Sequence, residues 1–210
     1  MKKIFTAILI AASASLASAD GLKSLENFMK GTQTGRADFT QVVTSPPKDG
    51  QAARSKTSSG TFEFQRPGRF KFVYQKPFEQ TIVADGQTLW LLDVDLNQVT
   101  QRSQAQALGS TPASLIASAA DLSALRADFT LAAAPDQDGL QWVQATPKAK
   151  DGQLQSVRVG FAAEQLAALD IVDSFGQRSA IRFKGMQVNP ALPASTFQFK
   201  PPAGADIVKQ

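Results

Sequence analysis

The stretch QRPGRFKFVYQKP, residues 65–77, decides how the rest of the chain is read. Phe70, Phe72 and Tyr74 alternate with polar or smaller residues, so in an extended chain they share one face. Upstream, Phe62 and Phe64 alternate in the same way, and Arg66-Pro67-Gly68 between the two runs has the chemistry of a turn. The pattern predicts an antiparallel hairpin with an aromatic face and an arginine where that face begins. Two roles are open to it. The rings could fill a sheet core while Arg66 decorates a turn, or the face could line a chamber for an apolar ligand with Arg66 at its door.

The other segments set the frame around this hairpin. Met1-Lys2-Lys3 is a positive start, Ile4 to Ile10 is apolar, and Ala17-Ser18-Ala19 is a small-x-small cleavage site. This predicts a cleaved secretory signal peptide over residues 1–19 and a single domain over 20–210. The apolar run is too short and too interrupted by Ser13, Ser15 and Ser18 to span a bilayer. Loss of Lys2 and Lys3 takes the 22 basic residues to 20 against 18 acidic ones, a net charge of +2. With no long basic run, nucleic-acid binding lacks its electrostatic warrant. No second apolar stretch has membrane-spanning length, so a soluble exported protein, a monomer, is expected.

The chain has neither cysteine nor histidine. An exported protein without cysteine must hold its fold by burial and sheet hydrogen bonds. Asp20 stands where a bacterial lipoprotein carries its lipid-bearing cysteine, so no lipid anchor is expected here. Without histidine the Ser-His-Asp and Cys-His nucleophile systems and imidazole zinc sites are excluded. Asp93 and Asp95 in LLDVDLNQV are the remaining carboxylate pair, more simply read as a solvated strand end or turn. No catalysis, metal or cofactor is expected, and the chain contains no GxxxxGK[ST] phosphate loop.

Leu22, Leu25, Phe28 and Met29 recur at helical spacing, predicting a short amphipathic helix over 21–31 that stops at Gly31. RADFTQVV reads as a strand through Phe39, and residues 44–59 as a long exposed turn. Asp-Gly at 49–50, 85–86, 138–139 and 151–152 sits beside alternating apolar residues, a strong hairpin signal. The further candidate strands are 60–66, 69–75, 80–85, 88–93, 97–102, 127–133, 139–145, 153–161, 167–173, 178–185 and 196–200. One segment breaks this rhythm. In residues 110–128, Ser110 or Thr111 can cap a helix with Pro112 in its first turn, running over 111–126 or dividing near Asp121. About eleven antiparallel strands curl strongly and, if wider than a filled barrel, enclose space that a helix must plug or cover. Periodicity does not distinguish plug from lid.

Residues 60–102, GTFEFQRPGRFKFVYQKPFEQTIVADGQTLWLLDVDLNQVTQR, resemble the periplasmic outer-membrane lipoprotein carrier family, LolA. The resemblance continues through GSTPASLIA (109–117), TPK (146–148), QRSAIRF (177–183) and FQFKPPAGADIV (197–208), nearly the whole mature chain. It implies a mainly β (α+β) fold: an unclosed, strongly curved antiparallel half-barrel with a short-helix lid over an apolar cavity. It implies a soluble periplasmic carrier of a Gram-negative bacterium. Such a carrier takes triacylated lipoproteins from the inner-membrane ABC transporter LolCDE and passes them to the outer-membrane receptor LolB. Arg66 matches the family arginine associated with hydrogen bonds to the lid, with Leu25, Ile116 and Ala117 expected at the lid rim. Phe62, Phe64, Phe70, Phe72, Tyr74, Ile82, Trp90 and Leu92 are expected to line the acyl-chain cavity. Phe72 and Leu92 depart from the family pattern, where a Trp and another aromatic are common, which bears on cavity shape. The alternatives are a related lipid or glycolipid carrier or acyl-chain sensor on the same fold, a fully packed β-scaffold, and a carboxylate enzyme using Asp93 and Asp95.

Overall fold

In the computed structural model the described residues are 21–48, 50–107, 116–117, 119–150 and 152–210. The expected signal peptide and the expected cap at Ser110 or Thr111 with Pro112 lie outside them. The alternation around residue 65 produces the hairpin it predicts. Strand β2 (Arg54–Gln65) pairs antiparallel with β3 (Arg69–Lys76), placing Phe62 opposite Phe72 and Phe64 opposite Phe70. The sheet grows from this pair through β1 (Thr34–Ser45), β4 (Gln80–Asp85), β5 (Thr88–Asp93) and β6 (Gln98–Ser103). The later strands are β7 (Phe129–Gln137), β8 (Leu140–Pro147), β9 (Leu154–Ala162), β10 (Gln165–Asp173), β11 (Arg178–Val188) and β12 (Asp206–Lys209).

All twelve form one sheet in the order β12-β6-β5-β4-β3-β2-β1-β11-β10-β9-β8-β7. Every neighbouring pair is antiparallel except β12–β6. The Asp-Gly pairs at 85–86 and 138–139, and Gly50 and Gly152 of the other two, fall where two mutually paired strands connect. The sheet is not closed: among the described residues β12 and β7 remain its two ends. It is strongly bent. Strands β2 and β9 stand four steps apart, about 19 Å along a flat sheet. Yet the Phe28 ring lies 6.2 Å from Phe64 on β2 and 5.7 Å from Phe161 on β9.

Helix α1 (Gly21–Gly31) supplies that ring and lies within the bend, burying Leu25, Phe28 and Met29. Of the two arrangements expected over 111–126, the described residues show the one divided near Asp121. Ile116 and Ala117 are helical, Ala120 and Asp121 bend, and α3 (Leu122–Asp128) restarts with the Asp121 carboxylate accepting from the Ala124 amide at 2.8 Å. Asp121 competes for the backbone as an N-cap does, and so ends one segment while starting the next. A one-turn helix, α2 (Gln104–Ala107), precedes them.

Two expectations are corrected. Much of the polar stretch 44–59 is sheet, since β1 and β2 remain paired out to Ser45 and Arg54. Ladder bonds need only the backbone, so exposed Ser, Thr and Lys do not end a strand. Residues 196–200 form no strand. A 3-10 turn occupies Ala194–Phe197, where Pro190, Pro193, Pro201 and Pro202 offer no amide to a ladder. The terminal pairing comes later, from β12.

Candidate functional site

Arg66 sits at the end of β2, in the turn the sequence marks, and is only 5% exposed. Gly68 adopts φ +79°, a left-handed conformation that suits glycine and closes the turn. The guanidinium points under the helices. Its Nε donates to the Ile116 carbonyl at 2.9 Å. Its Nη1 donates to the carbonyls of Met29 at 3.0 Å and Phe28 at 3.4 Å, near the C-terminal end of α1. Both carbonyls lie in the last turn of the helix: Phe28's also accepts from the Thr32 amide at 3.0 Å, whereas the Gln33 amide that would serve Met29 bonds Asn189 instead. The planar fork therefore joins two separate helical pieces to one sheet turn.

No carboxylate balances this charge among the described residues; the ion pairs there are Lys23–Glu26, Lys30–Glu26, Arg36–Glu63 and Arg182–Asp170. The Phe28 and Phe64 rings lie 4.7 and 5.5 Å from the guanidinium carbon and supply their negative faces. Nη2 is buried without a hydrogen bond among the described residues. Burial pushes the Arg66 group down to about 10, so it remains charged at neutral pH. Because that value lies below the ordinary one, desolvation opposes the folded closed form at any pH below about 10. The carbonyl bonds, worth about 1–3 kcal/mol, offset that cost.

Beneath it lies the aromatic face. Phe62, Phe64 and Phe70 are fully buried and Phe72 nearly so, with Tyr74 and Ile82 packed against them. Ring centroids of Phe62 and Phe72 approach to 4.4 Å, and the Phe39 ring meets Tyr74 edge-on at 5.0 Å. Leu25, Ile116 and Ala117 belong to the same buried cluster. In this closed arrangement side chains fill the face under the helices. One open groove, of about 660 Å³, lies at the opposite end of β1–β5 from Arg66, with Val43, Tyr74 and Phe78 in its wall. Tyr74 thus borders both the packed rings and the open groove, and burial pushes its hydroxyl up to about 12. Asp93 accepts from the Leu96 amide at 3.1 Å, holding the β5–β6 turn, with Asp95 exposed in the same turn.

Trp90 and Leu92 do not join the aromatic face. The two-residue connection Gly86-Gln87 sets Leu89 opposite Ala84 and Trp90 opposite Val83. Ala84 pairs with Phe70 and Ile82 with Phe72, so Leu89 and Leu91 continue the phenylalanine face while Trp90 and Leu92 point away from it. Trp90 instead stacks on Phe199 at 5.3 Å. The expectation fails because a one-residue choice of register moves every side chain to the other face. Sequence reasoning also missed Gln104, 3% exposed, and the bond from the Gly68 amide to the Ala117 carbonyl at 2.6 Å. Gln104 ends the polar run Gln101-Arg102-Ser103, and nothing in that run marks it for burial.

The family model for the outer membrane lipoprotein carrier protein LolA matches residues 30–200, a span that contains Arg66, the aromatic face and Ile116. The chain belongs to the LolA family. It is 72% identical over 212 residues to an outer-membrane lipoprotein carrier protein of Albidiferax ferrireducens, covering 99% of this chain and 100% of that one. It is 53% identical to the carrier of Leptothrix cholodnii, covering 98% and 94% respectively. It is 54% identical to that of Methylibium petroleiphilum, covering 97% and 96%.

Proposed function

We propose that this chain is a periplasmic carrier that shields the acyl chains of lipoproteins between the inner and outer membranes. It would receive triacylated cargo from an inner-membrane ABC transporter of the LolCDE type and deliver it to an outer-membrane receptor of the LolB type. Membership of the LolA family supports the cargo class. The observation that carries the mechanism is Arg66, a buried cation without a carboxylate partner among the described residues, holding helix carbonyls over an aromatic face.

Burying a methylene is worth about 0.8 kcal/mol, so three long chains resist water by tens of kcal/mol. A carrier must open apolar surface for them and still let them go. Incoming chains would part the helices from Phe62, Phe64, Phe70 and Phe72 and break the Arg66 bonds to Ile116 and Met29. Re-forming those bonds on release would recover about 1–3 kcal/mol and favour transfer to the acceptor. The residues proposed for the latch are Arg66, Leu25, Ile116 and Ala117. Those proposed for the acyl site are Phe62, Phe64, Phe70, Phe72, Tyr74 and Ile82.

The test is release of newly acylated lipoprotein from spheroplasts by the purified mature protein, followed by delivery to receptor-bearing vesicles. Wild type should release and deliver. Arg66→Leu should release cargo and retain it. Failure of wild type to take up lipoprotein would overturn the carrier reading, and normal delivery by Arg66→Leu would overturn the latch.

A further inference from the structure

Gln104 stands where the chain leaves β6 and is one of the few polar residues buried among the described residues. Its side chain uses both ends of its amide. Nε2 donates to the Gly68 carbonyl at 2.5 Å, and Oε1 accepts from the Gly86 amide at 2.9 Å. Its own backbone amide donates to the Gln87 carbonyl at 2.8 Å. One residue therefore ties the turn that carries Arg66 to the turn between β4 and β5. A Cβ on Gly68 would stand 3.4 Å from Nε2, so the amide also packs against that turn.

Gly68 is bound on both sides. Its carbonyl accepts from Gln104, and its amide donates to the Ala117 carbonyl at 2.6 Å. Arg66, two residues earlier, donates to Ile116 at 2.9 Å. The segment that departs the sheet at Gln104 thus returns at Ile116 and Ala117 to the same short turn. We propose that Gln104 is a positioning residue for the helical cover. It fixes the turn from which Arg66 and the Gly68 amide hold Ile116 and Ala117. This rests on the reading of Arg66 as a latch.

The chemistry makes the role specific to an amide. Leucine at this position removes the bonds to the Gly68 carbonyl and the Gly86 amide, and so unties the two part-buried turns from each other. A glutamate keeps an acceptor for Gly86 but turns a second oxygen toward the Gly68 carbonyl. Both variants loosen the turn that aims the latch, by different routes.

The cysteine-free chain allows single reporter thiols. Ile116→Cys places one under the cover at a position 2% exposed, and Ile181→Cys places one on β11 at a position 1% exposed. Maleimide labelling of the cargo-free mature protein reads local opening at each. Gln104→Leu and Gln104→Glu should each speed labelling in the Ile116→Cys background about tenfold, the equivalent of about 1.4 kcal/mol. Labelling in the Ile181→Cys background should be unchanged. Combining Gln104→Leu with Arg66→Leu should add little to either alone, because both act through the same attachment. Unchanged labelling in the Ile116→Cys background, equal acceleration in both backgrounds, or full additivity with Arg66→Leu would each overturn the proposal. Uptake of a tripalmitoylated lipopeptide by wild type is a separate measurement, so failure of the carrier reading is distinguishable from failure of the positioning role.

Discussion

The two faces of the sheet are built from the same strands and covered in different ways. On β4 and β5, Ile82, Ala84, Leu89 and Leu91 turn toward the helices, while Val83, Trp90 and Leu92 turn toward the C-terminal segment. The C-terminal cover is built into the sheet. Phe197, the last residue of the 3-10 turn, is 2% exposed, Phe199 stacks on Trp90, and β12 joins β6 in register from Asp206 to Lys209. The Asp206 amide donates to Asn97 and the Gln210 amide to Gln101, each at 3.0 Å. Among the described residues the helical cover has no ladder to the hairpin beneath it. Arg66 and the Gly68 amide join it there through a few hydrogen bonds. A cover that is part of a ladder opens only with the sheet, whereas one held by apolar packing and a few side-chain and turn bonds can part from it with the ladders intact.

The difference can be broken from either side. Phe197→Ala should have the largest effect on stability, about 3–5 kcal/mol in urea unfolding, because it empties a buried site beneath the fixed cover. Trp90→Ala should cost less, about 1–2 kcal/mol, since Trp90 is only half-buried and loses mainly its stacking on Phe199. Neither should change delivery relative to uptake once the protein is folded. Arg66→Leu should change stability least, by about 1 kcal/mol in either direction, because losing carbonyl bonds is offset by removing a buried charge. Its effect on delivery should nonetheless be near-complete. Arg66→Lys keeps the charge without the fork and should deliver at an intermediate rate. A large loss of stability in Arg66→Leu with delivery intact would reverse the assignment of the two covers.

Much of this was legible in the sequence for identifiable reasons. Alternation at Phe62, Phe64, Phe70, Phe72 and Tyr74, with Arg66-Pro67-Gly68 between them, states a hairpin locally, and the hairpin forms. Helical spacing from Leu22 to Met29 likewise states α1. The inward or outward assignment of Trp90 was not local. It depends on the register set by Gly86-Gln87, which alternation within the single strand does not reveal. The paired polar segment around Arg54–Ser59 was hidden because its strands are held by backbone bonds, which leave no hydrophobic pattern. The partners of Arg66 were likewise invisible as residue types. They are carbonyls of Phe28, Met29 and Ile116, groups that every residue carries.

The central claim is that the helical cover moves on loading while the C-terminal cover stays. Amide hydrogen exchange of the mature protein, with and without a tripalmitoylated lipopeptide, tests it most directly. The Gly68 amide, bonded to Ala117 in the closed form, should lose protection on loading, while the Asp206 and Gln210 amides keep theirs. Retained protection at Gly68 in the loaded protein, or loss confined to Asp206 and Gln210, would contradict the account.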